Sequence, residues 1–134
     1  MSRKNVETMR VAYEAWQRGD VEAWVGVMDP EIEWDNSAYP AVGVTLRGMG
    51  RESFLRFVNK YLATWRRYEA TIEELIDADD DVVMVLHETV RAGRSDAPIE
   101  RHVAQVWTVR DGRAVRYRAY RTKEEALEAA GLRE

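Results

Sequence analysis

The sequence contains no cysteine. Disulfides, thiolate nucleophiles and cysteine-ligated metal sites are therefore excluded. Imidazole is scarce too. Only His87 and His102 supply it, neither lies in an HExxH-type pattern, and no metal site is expected. No apolar run approaches the ~20 residues of a membrane-spanning helix. The opening stretch MSRKNVETMR lacks the apolar centre of a secretory signal, so a cytoplasmic location without membrane contact is the expectation. An excess of positive charge is also missing: 20 Lys and Arg face 24 Asp and Glu, for a net charge of −4. That balance removes the overall electrostatic footprint of a nucleic-acid binder. Repeats, low-complexity tracts and linkers are absent as well, and 134 residues suit one domain with one core.

What the chain does have is apolar and aromatic material. Hydrophobic residues make up 46% and charged residues 33%, with five tryptophans and six tyrosines. Such a balance argues against disorder. Large rings with polar tips build a deep core or line a cavity.

Val6, Met9, Tyr13 and Trp16 recur at helical spacing, which predicts an amphipathic helix over 4–18, ended by Gly19. Asp20 can cap a second helix over 21–28, closed by Asp29-Pro30. Period two then sets in over 31–36, with Ile32, Trp34 and Asn36 on one side. Pro40, Gly43, Gly48 and Gly50 mark 37–50 as a loop. A third helix over 51–65 carries Phe54, Leu55, Val58, Tyr61, Leu62 and Trp65 on a broad stripe. Four strands follow, over 67–77, 81–91, 100–110 and 113–121, the last two joined by the hairpin signal Asp111-Gly112. Thr122 and Glu125 have capping-box spacing for a final helix over 123–130, closed by Gly131. Consecutive strands with short connections pair antiparallel, so the fold class is α+β: a curved antiparallel sheet with the helices covering one face.

Alternation picks out the side chains that would face a pocket. It sends Asn36 inward and leaves Asp35 as a solvated or turn-forming residue, unless the strand ends at Trp34 and Asp35 turns in. Arg101, Val103, Gln105, Trp107 and Val109 form the more apolar side of their strand, with Gln105 inward as a neutral donor. Val115, Tyr117 and Ala119 point inward on the last strand. On the strand 81–91 both sides are apolar, so period two leaves open whether His87 or Glu88 faces in. An inward carboxylate there would be desolvated and its pKa raised, as acid–base chemistry requires. Arg110, Arg113, Arg116, Arg118 and Arg121 read as a solvated or intersubunit face.

The segments "YEAWQRGDVEAWVGVMDPEIEWDN", "HVAQVWTVRDGRAVRYRAY" and "KEEALEAAGL" resemble the SnoaL-like branch of the nuclear transport factor 2-like superfamily, over nearly the whole chain. The resemblance implies a single domain over 1–134, a cone of sheet and helices around a pocket, and a homodimer. It implies a cofactor-free isomerase, cyclase or dehydratase acting on a small apolar carbonyl compound. The alternative is a non-catalytic ligand-binding or interaction module, because fold does not decide among these. In the ketosteroid isomerases of this superfamily a carboxylate base ends the first strand, where this chain has Asp35 or Asn36. The first-helix tyrosine position falls on Ala12, one residue from Tyr13, and the later aspartate position falls on Gln105. The resemblance turns Glu88 inward. The set it implies is Asp35 and Glu88 for catalysis, with Tyr13, Trp16, Trp34, Asn36, Gln105, Trp107 and Tyr117 around the ligand. The limonene-epoxide hydrolase pattern is not kept: its carboxylate positions read Glu88 and Ala119, its arginine position Leu86, and its water-holding pair Trp34 and Asn36.

Overall fold

A computed structural model describes residues 2–38, 46–65, 67–91, 93 and 97–132. The elements run α1 (Ser2–Gln17), α2 (Val21–Gly26), β1 (Met28–Asp35), β2 (Arg47–Met49), α3 (Arg51–Ala63), β3 (Arg67–Ala78), β4 (Asp81–Arg91), β5 (Ile99–Arg110), β6 (Arg113–Tyr120) and α4 (Lys123–Ala129).

Local chemistry accounts for the boundaries. Gly19, at φ 76, ends α1 with Asp20 N–H donating to the Ala15 carbonyl at 2.9 Å. Asp20 then caps α2 by accepting from Ala23 N–H at 3.1 Å. Asp111 and Gly112 both adopt positive φ, 53 and 77, which is the type I′ turn that matches strand twist. Thr122 accepts from Glu125 N–H at 3.1 Å to start α4. The return half of the expected capping box is displaced: the Glu125 carboxylate accepts from Arg121 N–H at 3.3 Å.

Two features depart from the period-two reading. Asp29-Pro30 does not break the chain but lies inside β1, where pairing with β6 loses register between Met28 and Glu33. Proline cannot donate to a ladder, and an irregular stretch tolerates it. The expected loop 37–50 contains β2, a three-residue edge strand that pairs antiparallel with β1; Pro40 and Gly43 lie outside the described residues. Gly48 makes the pairing possible. A Cβ there would meet Cζ2 of Trp34 at 3.0 Å, so the strand crosses directly over the indole.

The sheet order is β2-β1-β6-β5-β4-β3. All neighbours are antiparallel except β1 and β6, which run parallel. Register shifts interrupt β3–β4 between Ile72 and Glu74 and β5–β6 between Thr108 and Val109. Extra residues of this kind bend strands, and the sheet curves. The second shift makes Ala114, at 0% exposure, the buried residue at the start of β6 in place of the expected Val115.

The helices do not all cover one face. Helices α1, α2 and α3 pack with Ile32, Trp34, Met84, Leu86, Trp107 and Tyr117. Helix α4 packs on the other side, where Ala126 and Leu127 cover Val83, Val85, Ala104 and Val106. The reason is visible in β4: Val82 to Leu86 are all buried, so both faces of that strand need a cover. Helix α1 presents Met9, Ala12 and Ala15 as its fully buried ridge, with Val6, Tyr13 and Trp16 half-buried beside it. Small alanines let the helix approach the sheet closely, and the larger rings flank the contact.

Gly48→Ala is expected to destabilise the fold by about 1–3 kcal/mol, because the added methyl meets a buried ring that cannot retreat. Urea denaturation monitored by tryptophan fluorescence measures this.

Candidate functional site

Between the α1–α3 layer and the concave sheet lies a cavity of about 90 Å³. Helix α1 contributes Met9, Ala12, Tyr13 and Trp16, α2 contributes Trp24, and α3 contributes Phe54, Phe57, Val58 and Tyr61. Strands supply Tyr68, Ala70, Met84, Leu86, Glu88, Arg101, Val103, Gln105, Trp107 and Tyr117, with Asn36 just past β1. Aromatic rings dominate, and a few polar groups interrupt them.

Glu88 is the most unusual of these. It is 4% exposed, so its carboxylate sits in a wall of rings. Its Oε1 accepts from Arg101 Nε at 2.8 Å and from the Tyr61 hydroxyl at 3.4 Å. Its Oε2 accepts a short hydrogen bond from the Tyr68 hydroxyl. Burial pushes the Glu88 carboxyl above its ordinary value, opposed by the hydrogen bond from Tyr68. Burial, and then the facing Glu88 charge, push the Tyr68 phenol upward, so it stays protonated and donating. Arg101 pairs with Glu88 across the β4–β5 ladder, and its guanidinium lies 5.3 Å from the Trp65 ring centre and 5.7 Å from that of Tyr61.

The His87/Glu88 alternative is thus resolved by geometry. His87 lies on the opposite face, where Nε2 is 2.9 Å from Glu100 and the ring centre is 5.2 Å from that of His102. Among the described residues no group of three or more His, Asp or Glu side chains is arranged to hold a metal ion.

The end of β1 separates Asn36 from Asp35 as alternation expects. Asn36 is 6% exposed and its Oδ1 accepts from the Tyr117 hydroxyl at 2.8 Å. Asp35 remains in the strand and points away, into a depression on the other face with Arg116, Arg118 and Arg121. Its Oδ1 accepts from Ser37 N–H at 2.8 Å, closing an Asx-type turn. Burial raises the Asp35 carboxyl, but the Ser37 hydrogen bonds, Arg47 and Arg116 together hold it below the usual carboxylate range. A carboxylate so placed does not line the cavity.

Trp34 also falls outside the cavity lining. It is 2% exposed, stacks on Phe54 and Phe57 at 5.6 and 5.1 Å, and donates from Nε1 to the Ser53 hydroxyl at 2.8 Å. It is the layer behind the wall. Tyr13 does border the cavity, yet its hydroxyl is committed: it donates to the Ala70 carbonyl at 3.0 Å and accepts from Ile72 N–H at 2.9 Å. Those bonds pin α1 to β3 just before its register shift, so Tyr13 is a staple and not an oxyanion donor. Gln105 Oε1 accepts from Trp107 Nε1 at 2.9 Å. Because an indole N–H only donates, that bond fixes the amide orientation and turns its nitrogen into the donor available to a ligand.

The cavity therefore gathers Tyr13, Trp16, Asn36, Glu88, Gln105, Trp107 and Tyr117, and leaves out Asp35 and Trp34. Tyr61, Tyr68 and Arg101 are the polar residues that the sequence reading did not assign. A signal for Tyr68 existed in the period-two set Tyr68, Ala70, Ile72, all half-buried.

The model of the SnoaL-like domain matches residues 9–117. The chain belongs to the SnoaL-like domain family. No curated protein matches it. Among solved structures, an NTF2-like protein of unknown function from Burkholderia pseudomallei superposes with TM-score 0.78 at 20% identity, covering 93% of this chain and 95% of that one. TerC, co-crystallised with polyporic acid, gives 0.77 at 21% identity over 96% and 98%. An LEH-like epoxide hydrolase of M. tuberculosis gives 0.66 at 17% identity over 96% and 90%. At these identities the likeness is one of fold. No described helix of this SnoaL-like chain is long and apolar enough to cross a membrane.

Tyr13→Phe is expected to cost about 1–3 kcal/mol of stability, because it strips partners from the Ala70 carbonyl and the Ile72 N–H. Asp35→Asn is expected to leave ligand binding in the cavity unchanged. Equilibrium denaturation reads the first and ligand titration the second.

Proposed function

We propose that this SnoaL-like protein binds a small, largely apolar carbonyl compound in its cavity and moves a proton on it with Glu88, as a cofactor-free isomerase, cyclase or dehydratase does. The carrying observation is a carboxylate at 4% exposure that faces an aromatic cavity, with burial raising its pKa. Raised basicity and proximity to a bound carbon acid are what general base catalysis needs. The SnoaL-like family match and the fold shared with TerC, which was crystallised with polyporic acid, support an organic ligand.

In the proposed step a Glu88 oxygen takes the proton from the carbon next to the carbonyl. The electrons of that C–H bond move into the new C=C bond, and the carbonyl oxygen becomes an enolate oxygen. The Gln105 amide N–H is the neutral donor nearest in kind to an oxyanion partner. Protonated Glu88 then returns its proton, to the same carbon or another. Arg101 and Tyr68 hold the carboxylate in place throughout.

One observation favours a second reading, a ligand-binding module without chemistry. Both Glu88 oxygens already accept from protein donors, so the residue also serves as an anchor for Tyr61, Tyr68 and Arg101. In that reading Asn36, Gln105 and Tyr117 fix the ligand through neutral hydrogen bonds. In either reading we expect a homodimer, which sedimentation equilibrium measures.

Deuterium exchange at the α-carbons of cyclopentanone, followed by NMR in D₂O, tests the proton-transfer reading. Wild-type protein should accelerate exchange, and Glu88→Gln should lower the catalysed rate by roughly 10²–10⁴-fold while ligand binding persists. Because Glu88 acts when ionised, the rate should fall as pH drops through a midpoint above the ordinary 4.5. Binding with no acceleration by the wild type would leave the binding module standing.

A further inference from the structure

We infer that Asn36 and Gln105 form a paired donor site for two acceptor oxygens, and that the carbonyl compound this cavity holds is a dicarbonyl. The first carbonyl rests on the proton-transfer reading. The second oxygen rests on geometry alone.

Orientation of the two amides comes first. Trp107 Nε1 donates to Gln105 Oε1 at 2.9 Å, and the Tyr117 hydroxyl donates to Asn36 Oδ1 at 2.8 Å. Both amides thus give their oxygens to the protein and keep their NH₂ groups for something else. For Gln105 the direction is forced, because an indole N–H only donates. Both side chains line the cavity, and among the described residues neither amide nitrogen meets an acceptor within hydrogen-bond distance. Asn36 is 6% exposed, and its backbone N–H donates to the Leu46 carbonyl at 2.7 Å, so this donor is buried and fixed in place. A buried donor without a partner is destabilising, and an acceptor on a ligand relieves it.

Sheet register sets the spacing. Gln105 on β5 pairs with Ala119 on β6. Asp35 is opposite Arg118 at the end of the β1–β6 pairing, so the next residue, Asn36, comes level with Ala119. The two amides therefore flank one small side chain, with Cα atoms two strand spacings or roughly 10 Å apart. The rings that hold them, Trp107 and Tyr117, are cross-strand partners with centres 4.7 Å apart. Each amide brings two N–H donors, whereas a single carbonyl oxygen has two lone pairs for both amides together. One carbonyl leaves half of these donors unmet, and a second carbonyl on the same ligand meets them. A hydroxyl in that place would add a donor where donors are already in excess. Trp107 and Tyr117 are positioning residues for the pair.

The test compares cyclohexane-1,4-dione with cyclohexanone, and hexane-2,5-dione with hexan-2-one, the open chain adapting its oxygen spacing to the site. NMR titration follows the side-chain NH₂ signals of Asn36 and Gln105 in ¹⁵N-labelled protein. At least one dione should bind about tenfold or more tighter than its monoketone, and it should move both NH₂ signals. Asn36→Leu and Gln105→Leu should each bring dione binding down to the monoketone level. Tyr117→Phe keeps the ring, frees the Asn36 amide to turn and should narrow the dione preference, which keeps the test intact if the leucine variants do not fold. The inference is overturned if neither dione outbinds its monoketone, or if a monoketone moves both NH₂ signals as far as a dione does. An unchanged preference in the folded variants overturns it too. The cyclopentanone exchange assay separates the two claims. Dione preference without catalysed exchange sinks the proton-transfer reading and leaves the donor pair. Catalysed exchange without dione preference does the reverse.

Discussion

A carboxylate taken out of water must be met by donors or by opposite charge, because burying it unpaired costs far more than a small domain can spare. Glu88 imposes that requirement on this molecule. Arg101 answers from the neighbouring strand, Tyr68 from the edge strand and Tyr61 from a helix. Those donors tie β3, β4, β5 and α3 to one point, and the rings of Tyr61 and Trp65 in turn flank the guanidinium. The polar end of the cavity is thus an organised network. It holds the Glu88 carboxylate in place through donors from three elements.

The apolar end is built differently. Trp34, Phe54, Trp107 and Tyr117 pack ring on ring, and each indole or phenol tip finds one short-range partner. Packing of this kind resists rearrangement, since a ring cannot shift without displacing its neighbours. Close backbone approach at Gly48 extends the same logic to the edge of the sheet. Polar network and ring packing therefore separate along the cavity. Ionisable groups sit toward β3 and β4, and the wedge of rings sits toward β1 and β6.

Much of the fold was legible as local pattern. Turn and cap residues such as Gly19, Asp20, Asp111-Gly112 and Thr122 act through their own backbone neighbours, and each ended or started an element as its chemistry requires. Alternation placed Asn36 inward and Asp35 outward for the same reason, because pleat parity is a local property. What escaped was the short strand β2, whose pairing with β1 depends on a glycine crossing a distant indole. The second helical cover was missed because an apolar strand shows that both faces are buried without showing by what.

Residue type and spacing by themselves determined an α+β chain with an aromatic-rich interior, the order of its elements apart from β2, and the inward set Asn36, Gln105 and Tyr117. Whether His87 or Glu88 faces the cavity was undetermined by period two, since both sides of β4 are apolar. Tertiary structure decided it, along with the partners of Glu88, the commitment of the Tyr13 hydroxyl to β3 and the removal of Trp34 to a layer behind the wall. The physical reason is range. Pattern along the chain reports which face a residue takes, whereas a hydrogen bond from Tyr13 to Ala70 spans 57 positions and exists only once helix and sheet have packed.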